Sequence, residues 1–191
     1  MNYFDHLLVI SHHNLGFMIG KNISLRALEP EDARILYLWE NDPDVWRISN
    51  TIAPYSRFDI DQYILNSGDI YTSKQLRLMM ILTTDPMVVV GAIDLFDFDP
   101  LNRRAELGIL VNNEYRGKGY AQEAIELIKD YSFNTLNLHQ LYCHVPVDKE
   151  INIHLFKKCG FVLTGTRRHW RWSKDQWTDE HLMQLIPTKA G

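Results

Sequence analysis

The sequence has little cysteine, no long apolar run and no strong excess of charge of either sign. Cys143 and Cys159 are the two cysteines, and they lie in apolar segments without the spacing of a metal site. We therefore expect buried free thiols in a cytoplasmic protein, with no disulfide framework and no metal. No run approaches the roughly 18 apolar residues of a membrane span, and the first residues lack the positive flank of a signal peptide. A membrane protein or a secreted protein is not expected.

Charge and composition exclude two further classes of protein, nucleic-acid-binding proteins with a basic face and disordered chains. The 20 Lys and Arg residues against 24 Asp and Glu give a formal net charge of −4, which argues against a dominant basic face for nucleic acid. Hydrophobic residues make up 46% of the 191 residues, enough for the core of one domain and too many for a disordered chain. We expect no nucleic-acid partner.

The order of hydrophobic patterns predicts a mixed α/β fold. Residues 1–21 fit neither the helix nor the strand template and are treated as an extension of unknown structure, residues 22–187 as the domain, and residues 188–191 as a tail. Within the domain the patterns run strand, helices, three antiparallel strands, helix, strand, helix, two strands. This order indicates one sheet of about seven strands flanked by helices.

Local signals place the individual elements. A helix should begin after Glu29-Pro30 and end at Asp42-Pro43, and a second should cover Arg57 to Asn66. Alternation over 104–111 puts Glu106 on the same face as Leu110. Further elements are a helix from Ala121 to near Asn134, a strand over 138–147, a helix with Ile151, Leu155, Phe156 and Cys159 on one face, and a hairpin of 161–172 with 177–186.

The most informative segment is a glycine-rich basic loop between a predicted strand and a predicted helix. It reads Arg116-Gly117-Lys118-Gly119-Tyr120-Ala121. Glycines let the backbone turn with its amides exposed, and a helix N-terminus attracts anions, so the loop suits a phosphate or pyrophosphate. It fits neither the nucleotide P-loop nor the dinucleotide fingerprint. A charged tight turn without a ligand is the alternative reading.

With these residues the chain resembles the GNAT superfamily of N-acetyltransferases. The loop matches the acetyl-CoA motif Gln/Arg-x-x-Gly-x-Gly/Ala, and the likeness extends over about residues 22–187. It includes Leu25, Arg26, Leu28 and Asp32 near the start and Lys158-Cys159-Gly160-Phe161 near the end. The block from Asp94 to Glu106 is similar to bacterial spermidine/spermine N-acetyltransferases, with ribosomal-protein N-terminal acetyltransferases as the next relatives.

The resemblance implies acetyl-CoA as the cosubstrate and a sheet that splays in the middle to receive it. Backbone groups of Ile109, Leu110 and Val111 would pair with the pantetheine arm, and the amides from Arg116 to Ala121 would hold the pyrophosphate. The thioester would lie near Val111 and Val145. Asn152 would replace the asparagine that relatives use for CoA contact, which is not in register here.

The resemblance also points to carboxylates for the acceptor amine. Glu106 is the candidate base, because relatives place a carboxylate on this strand; an ion pair with Arg103 or Arg104 is the alternative. Asp94, or Asp97, would bind a cationic acceptor, with exposed hairpin carboxylates as the alternative.

One position departs from the family's pattern. Many members carry a tyrosine acid four residues before the Gly of the Gly-Phe pair, and here that position is Phe156. Because phenylalanine has no proton to donate, either water, His154 or Cys159 substitutes, or the thiolate leaves unassisted.

The resemblance ranks the acceptors. We expect acetyl transfer to a small-molecule primary amine, polyamine-like first and a protein N-terminus second; a noncatalytic acetyl-CoA sensor is the rival class. The acidic pair that polyamine enzymes carry before Pro-Tyr is missing before Pro54-Tyr55. Trp170, Trp172 and Trp177 would pack, line the acceptor cleft or form a subunit contact, and a homo-oligomer is compatible with them.

Overall fold

In the computed structural model, which describes residues 18–49, 51–173 and 175–187, eight strands form one sheet. The strands are β1 (Met18–Ile19), β2 (Ile23–Ala27), β3 (Leu76–Leu82), β4 (Val89–Asp99), β5 (Arg104–Val111), β6 (Gln140–Pro146), β7 (Val162–Ser173) and β8 (Gln176–Leu185). The α-helices are α1 (Ala33–Glu40), α2 (Pro43–Ser49), α3 (Arg57–Leu65), α4 (Ile70–Ser73), α5 (Tyr120–Asp130) and α6 (Glu150–Lys158).

The sheet is mostly antiparallel, as the sequence predicts. Its strand order is β1-β2-β3-β4-β5-β6-β8-β7, and within the described chain only β5 and β6 pair in parallel. The eighth strand, beyond the expected seven, is β1, where Met18 pairs with Leu25. This strand belongs to the segment 1–21, whose structure the sequence left open; residues 1–17 lie outside the described part.

The parallel pair opens partway along its length. β5 and β6 pair only where residues 104–106 meet residues 140–142. Beyond Glu106 the partner of β5 is β4, as far as Val111, and the partner of β6 is β8, as far as Pro146. Among the described residues, one edge of β5 is therefore without a strand partner at the middle of the sheet, which confirms the predicted splay.

Helices cover both faces of the sheet and bury two hydrophobic clusters. Met79 and Met80 are neighbours on β3 with no exposed surface, yet they belong to different clusters, since successive strand residues point to opposite faces. The Met80 face packs on α5 and α6, with Ile125 among the helix residues. The Met79 face packs on α1 and α3, with Leu36 at its centre. The sheet is therefore the middle of three packed layers.

The structure corrects some local expectations. Helix α2 begins at Pro43, the residue taken as the end of the preceding helix, because proline is also suited to a helix's first turn. Ile151 is 85% exposed, and Ile153 packs against the core in its place. The α-helical part of α5 ends at Asp130 and continues as a π-helical turn over Tyr131–Thr135. Within the described residues, none of these helices has the length and apolar character of a membrane span.

Candidate active site

A cavity of about 760 Å³ lies where β5 and β6 separate. Its walls come mainly from β4 to β8 and from α6, with α1 and α2 at one end. The charged side chains on its walls are five carboxylates and four guanidinium groups, namely Glu40, Asp94, Asp97, Glu106 and Glu180 with Arg77, Arg104, Arg167 and Arg171. The volume is that of a site for a small molecule.

Glu106, the predicted base, is largely buried and has a histidine partner. Its Oε1 lies 2.7 Å from Nδ1 of His144 on β6, and the two side chains are 13% and 16% exposed. The alternative ion pairs are wrong, because Arg103 donates to the Asn137 carbonyl at 2.7 Å and Arg104 pairs with Asp99 at 3.3 Å. The Glu106 carboxylate therefore has no arginine neutralising it among these contacts.

The contact continues across the last two strands. Nε2 of His144 is hydrogen-bonded to Nη2 of Arg167 on β7. Arg167 also pairs with Glu180 on β8 at 3.5 Å, and Arg171 pairs with the same carboxylate at 3.0 Å. Glu180 is only 4% exposed, so two guanidinium groups balance one buried negative charge.

Tyr142 stands beside this network. It pairs with Glu106 in the parallel register, and its ring meets that of His144 edge-on at 5.7 Å between centroids. Burial, together with the negative charges of Glu106 and Asp97, raises the pKa of Tyr142 to about 12. Its phenol is therefore protonated at neutral pH and supplies a hydroxyl to the cavity.

Asp94, the predicted acceptor ligand, lies on the cavity wall but is not an exposed hairpin residue. It is 6% exposed, and its Oδ1 accepts from Arg77 Nε at 2.6 Å and from Gln75 at 3.1 Å. Arg77 also reaches Glu40 at 2.5 Å. One guanidinium thus offsets both carboxylates at this end of the cavity.

Asp97 differs from Asp94 in both exposure and pairing. It is exposed on the cavity wall, in the left-handed region at φ 49°, where the register between β4 and β5 shifts. No described side chain forms an ion pair or hydrogen bond with its carboxylate. Asp97 is therefore the carboxylate here whose charge is least compensated.

The glycine-rich loop has the geometry that the motif requires. Gly117 and Gly119 adopt φ values of 76° and 83°, which side chains with a Cβ rarely adopt, and a Cβ built on either would meet no atom within 4 Å. Gly119 caps α5, whose first amides lack carbonyl partners in the helix. The loop therefore offers open backbone donors, and this fits a pyrophosphate group.

The other residues expected to contact acetyl-CoA divide into two sets. Ile109, Leu110, Val145 and Asn152 lie on the cavity wall. Val111 does not, and its carbonyl accepts from Arg116 Nε at 3.0 Å. Lys118 places Nζ 4.9 Å from the Tyr115 ring centre. The free edge of β5 and the glycine loop are compatible with one extended ligand running from the cavity to α5.

Comparison with known families identifies the fold and the chemistry together. Residues 22–162 match the model of the acetyltransferase (GNAT) domain. The chain belongs to the GNAT acetyltransferase family. Its activity class is therefore acetyl transfer with acetyl-CoA as cosubstrate, as the sequence predicts. No group of three or more His, Cys, Asp and Glu side chains in the described residues is arranged to hold a metal.

Several of the similar proteins are spermidine acetyltransferases. The chain is 29% identical over 171 residues to spermidine N(1)-acetyltransferase of Vibrio cholerae, covering 90% of this chain and 96% of the relative. A crystal structure of that organism's spermidine N-acetyltransferase with CoA and spermine has a TM-score of 0.78 at 28% identity, over 87% of this chain and 96% of the other. A dodecameric structure from the same organism has a TM-score of 0.73, over 87% and 95%.

Phe156, the residue predicted to occupy the position of the family's tyrosine acid, has no hydroxyl to donate. Phe156 lies on the cavity wall, 5% exposed. His154 is exposed and Cys159 is buried, and neither belongs to the wall formed by the described residues. Burial raises the pKa of the Cys159 thiol to about 11. Two of the three groups suggested as substitutes are therefore away from the cavity.

The partners of Glu106 were not predicted from the sequence. Tyr142 and His144 alternate with buried Leu141 and Cys143 on the predicted strand over 138–147, so both belong to its polar face. This alternation could have predicted that Tyr142 and His144 lie near Glu106, since β6 pairs with β5 in the sheet. The part played by Arg167 was not predictable, because the β7 register shifts between Arg167 and Arg171.

Proposed function

We propose that this acetyltransferase acts on a primary amine of a small polyamine-like cation, spermidine or spermine. The observation that carries the proposal is the exposed, unpaired carboxylate of Asp97 on the wall of the same cavity as Glu106. A cavity of about 760 Å³ suits a small molecule better than a protein surface. The relatives named for spermidine, and the one solved with CoA and spermine, support the same acceptor.

The charges on the cavity wall suggest a separate role for each residue. Asp97 attracts one cationic end of the acceptor, and Trp170 on the same wall supplies apolar surface. Asp94 stays a proposed acceptor ligand, with its charge already offset by Arg77. At the reacting end, Glu106 takes the proton that the amine nitrogen loses as its lone pair forms the new C–N bond. Bound acetyl-CoA supplies the activated thioester, whose C–S bond breaks as CoA leaves.

The proposal extends to assembly and location. A homo-oligomer is supported by the dodecameric Vibrio cholerae structure and by Trp170, Trp172 and Trp177, each more than half exposed on the β7–β8 hairpin. A cytoplasmic location is supported by Cys143 and Cys159, which are both free and buried. That no nucleic acid takes part stays a prediction.

The test is release of free CoA thiol from acetyl-CoA by purified protein. Spermidine, spermine, lysine and an amine-terminated peptide are compared at equal concentration, with a reaction lacking acceptor as control. We expect kcat/KM for a polyamine to exceed that for lysine and for the peptide at least tenfold.

Two outcomes would contradict the proposal. Turnover with the peptide alone would favour acetylation of a protein N-terminus. Binding of acetyl-CoA by calorimetry without turnover of any acceptor would favour the noncatalytic role.

A further inference from the structure

His144 occupies a position between the proposed base and an anchored cation. Its Nδ1 lies 2.7 Å from Glu106 Oε1, and its Nε2 is hydrogen-bonded to Arg167. The imidazole is 16% exposed, so bulk water is mostly kept from both nitrogens. The three side chains come from β5, β6 and β7, far apart in sequence and brought together by the sheet.

These two contacts determine where the ring proton is. A guanidinium only donates hydrogen bonds, so His144 Nε2 must accept from Arg167. The proton of the neutral ring is then on Nδ1, where it is donated to the Glu106 carboxylate.

Arg167 is itself held in place. It pairs with Glu180, which also binds Arg171, and this carboxylate is 4% exposed. The Arg167 group that donates to His144 Nε2 is therefore held by an ion-pair network that does not include Glu106. Glu106 therefore has a hydrogen-bond partner whose orientation does not depend on the acceptor molecule.

We propose that His144 is a positioning residue: Arg167 holds it in the Nδ1–H tautomer, and it orients Glu106 and keeps that carboxylate ready to accept a proton. The inference rests on the proposed role of Glu106 as base. The other charged or titratable side chains that share the cavity with this pair are Glu40 from α1, Arg77 from β3, Asp94 and Asp97 from β4, Arg104 from β5, Tyr142 from β6, Arg167 and Arg171 from β7 and Glu180 from β8.

Two substitutions test the roles of the two His144 nitrogens separately. The side-chain amide of asparagine overlaps Nδ1, whereas that of glutamine extends to the Nε2 position. His144→Asn therefore keeps a donor to Glu106, and His144→Gln keeps a partner for Arg167 but loses that donor. His139→Gln, at an exposed position before β6, is the matched control outside the cavity.

Kinetics across pH give the first readout, with the acceptor that turns over best. We expect His144→Gln to lower kcat roughly 10- to 100-fold, the worth of a hydrogen bond to a charged group, with little change in the KM for acetyl-CoA. The acid limb of its kcat/KM profile should move to higher pH, since a carboxylate without its donor is protonated more easily. His144→Asn should retain more activity than His144→Gln and keep the wild-type acid limb.

Two kinetic outcomes would contradict the positioning role of His144. Equal loss in both His144 variants, or an unmoved acid limb in His144→Gln, would overturn the positioning role. Glu106→Gln is run beside them: full activity in that variant would remove Glu106 as base, and with it the premise of this inference, whereas the proposed acceptor is tested separately by the comparison of amines.

The second readout is independent of activity. Nitrogen-15 NMR of the histidine rings at pH 8, with His144→Gln to assign the signal, should show Nδ1 protonated and Nε2 not. The opposite tautomer would overturn the inference even where the kinetic effects were seen.

Discussion

The ring of Phe156 meets the ring of Phe161 edge-on, with 5.1 Å between the centroids. This contact holds Phe156 in the cavity wall, 5% exposed, at the position where the family resemblance predicts a tyrosine that donates a proton. Phe156→Tyr adds one hydroxyl to a ring of the same shape. We expect kcat to rise about 10-fold or more, because general acid catalysis is typically worth 10²–10⁴-fold.

Phe156→Leu is the matched control, since it keeps an apolar side chain and gains no donor. Steady-state kinetics with saturating acetyl-CoA compare the three proteins. A Phe156→Tyr enzyme no faster than wild type would show that departure of the thiolate is already assisted or does not limit the rate.

The fold was predictable where local pattern and chain order agree. The alternation of β5, the glycine loop and the start of α5 follow one another in the sequence, and each has its own backbone signature. Helix α2 was missed because Asp42-Pro43 satisfies two rules at once, ending one helix and beginning the next. Helix α4 was also missed, because its four residues are too few to show a helical period.

The site was less predictable than the fold, because its contacts are long-range. The sequence indicates Glu106 through a resemblance, but its partner His144 is 38 residues away and Arg167 a further 23. Local spacing favoured Arg103 and Arg104, which instead bond to Asn137 and Asp99. Asp94 similarly depends on Arg77, 17 residues earlier on the facing strand.

The left-handed conformation of Gly119 gives a prediction for the cosubstrate loop. Its φ of 83° is unfavourable for any residue with a Cβ, although there is open space around it. Gly119→Ala should lower the free energy of unfolding by about 1–2 kcal/mol and weaken acetyl-CoA binding, because the loop must change shape. Urea unfolding and calorimetric titration measure the two effects.

Gly68→Ala is the control for this change, since Gly68 has neither a positive φ nor an atom near its built Cβ. It should leave acetyl-CoA affinity at the wild-type value. An affinity in Gly119→Ala equal to that of Gly68→Ala would show that the loop does not hold the cosubstrate.

Asp97 gives a prediction for the acceptor. Asp97→Asn removes the exposed negative charge without changing the shape of the side chain, so the KM for spermidine should rise roughly two- to fivefold, the worth of an exposed ion pair. The kcat should change little, because Asp97 is not the proposed base. Raising the salt concentration should narrow the difference from wild type.

Asp61→Asn, on an exposed position of α3, is the control for the general effect of losing one negative charge. The KM for acetyl-CoA is measured in the same variants. A rise in the KM for spermidine that is equal in both variants would mean that Asp97 does not contact the acceptor.

Glu123 connects α5 to the loop before β2, and its contacts predict how stability depends on pH. Its carboxylate accepts from the Asn22 backbone at 2.7 Å, from Asn22 Nδ2 at 2.8 Å and from the Ile23 backbone at 3.3 Å. Partial burial acts to raise the pKa of Glu123, but these hydrogen bonds outweigh it and lower the pKa below the ordinary 4.5. The folded state therefore binds this proton less readily than the unfolded state does.

The sign of the effect follows from that difference. The stabilisation by Glu123 is fully present above about pH 4.5 and is lost as the pH falls through the lower folded-state value. Glu123→Gln should therefore unfold at lower urea than wild type at pH 7, and the gap between the two should shrink steadily below pH 4.5. Glu114→Gln is the control, since this exposed side chain makes no such contacts with the described residues; its stability should match wild type both at pH 7 and below pH 4.5. A Glu123→Gln gap that stays constant with pH would assign the loss to altered packing, because only an ionised carboxylate gives a contribution that protonation removes.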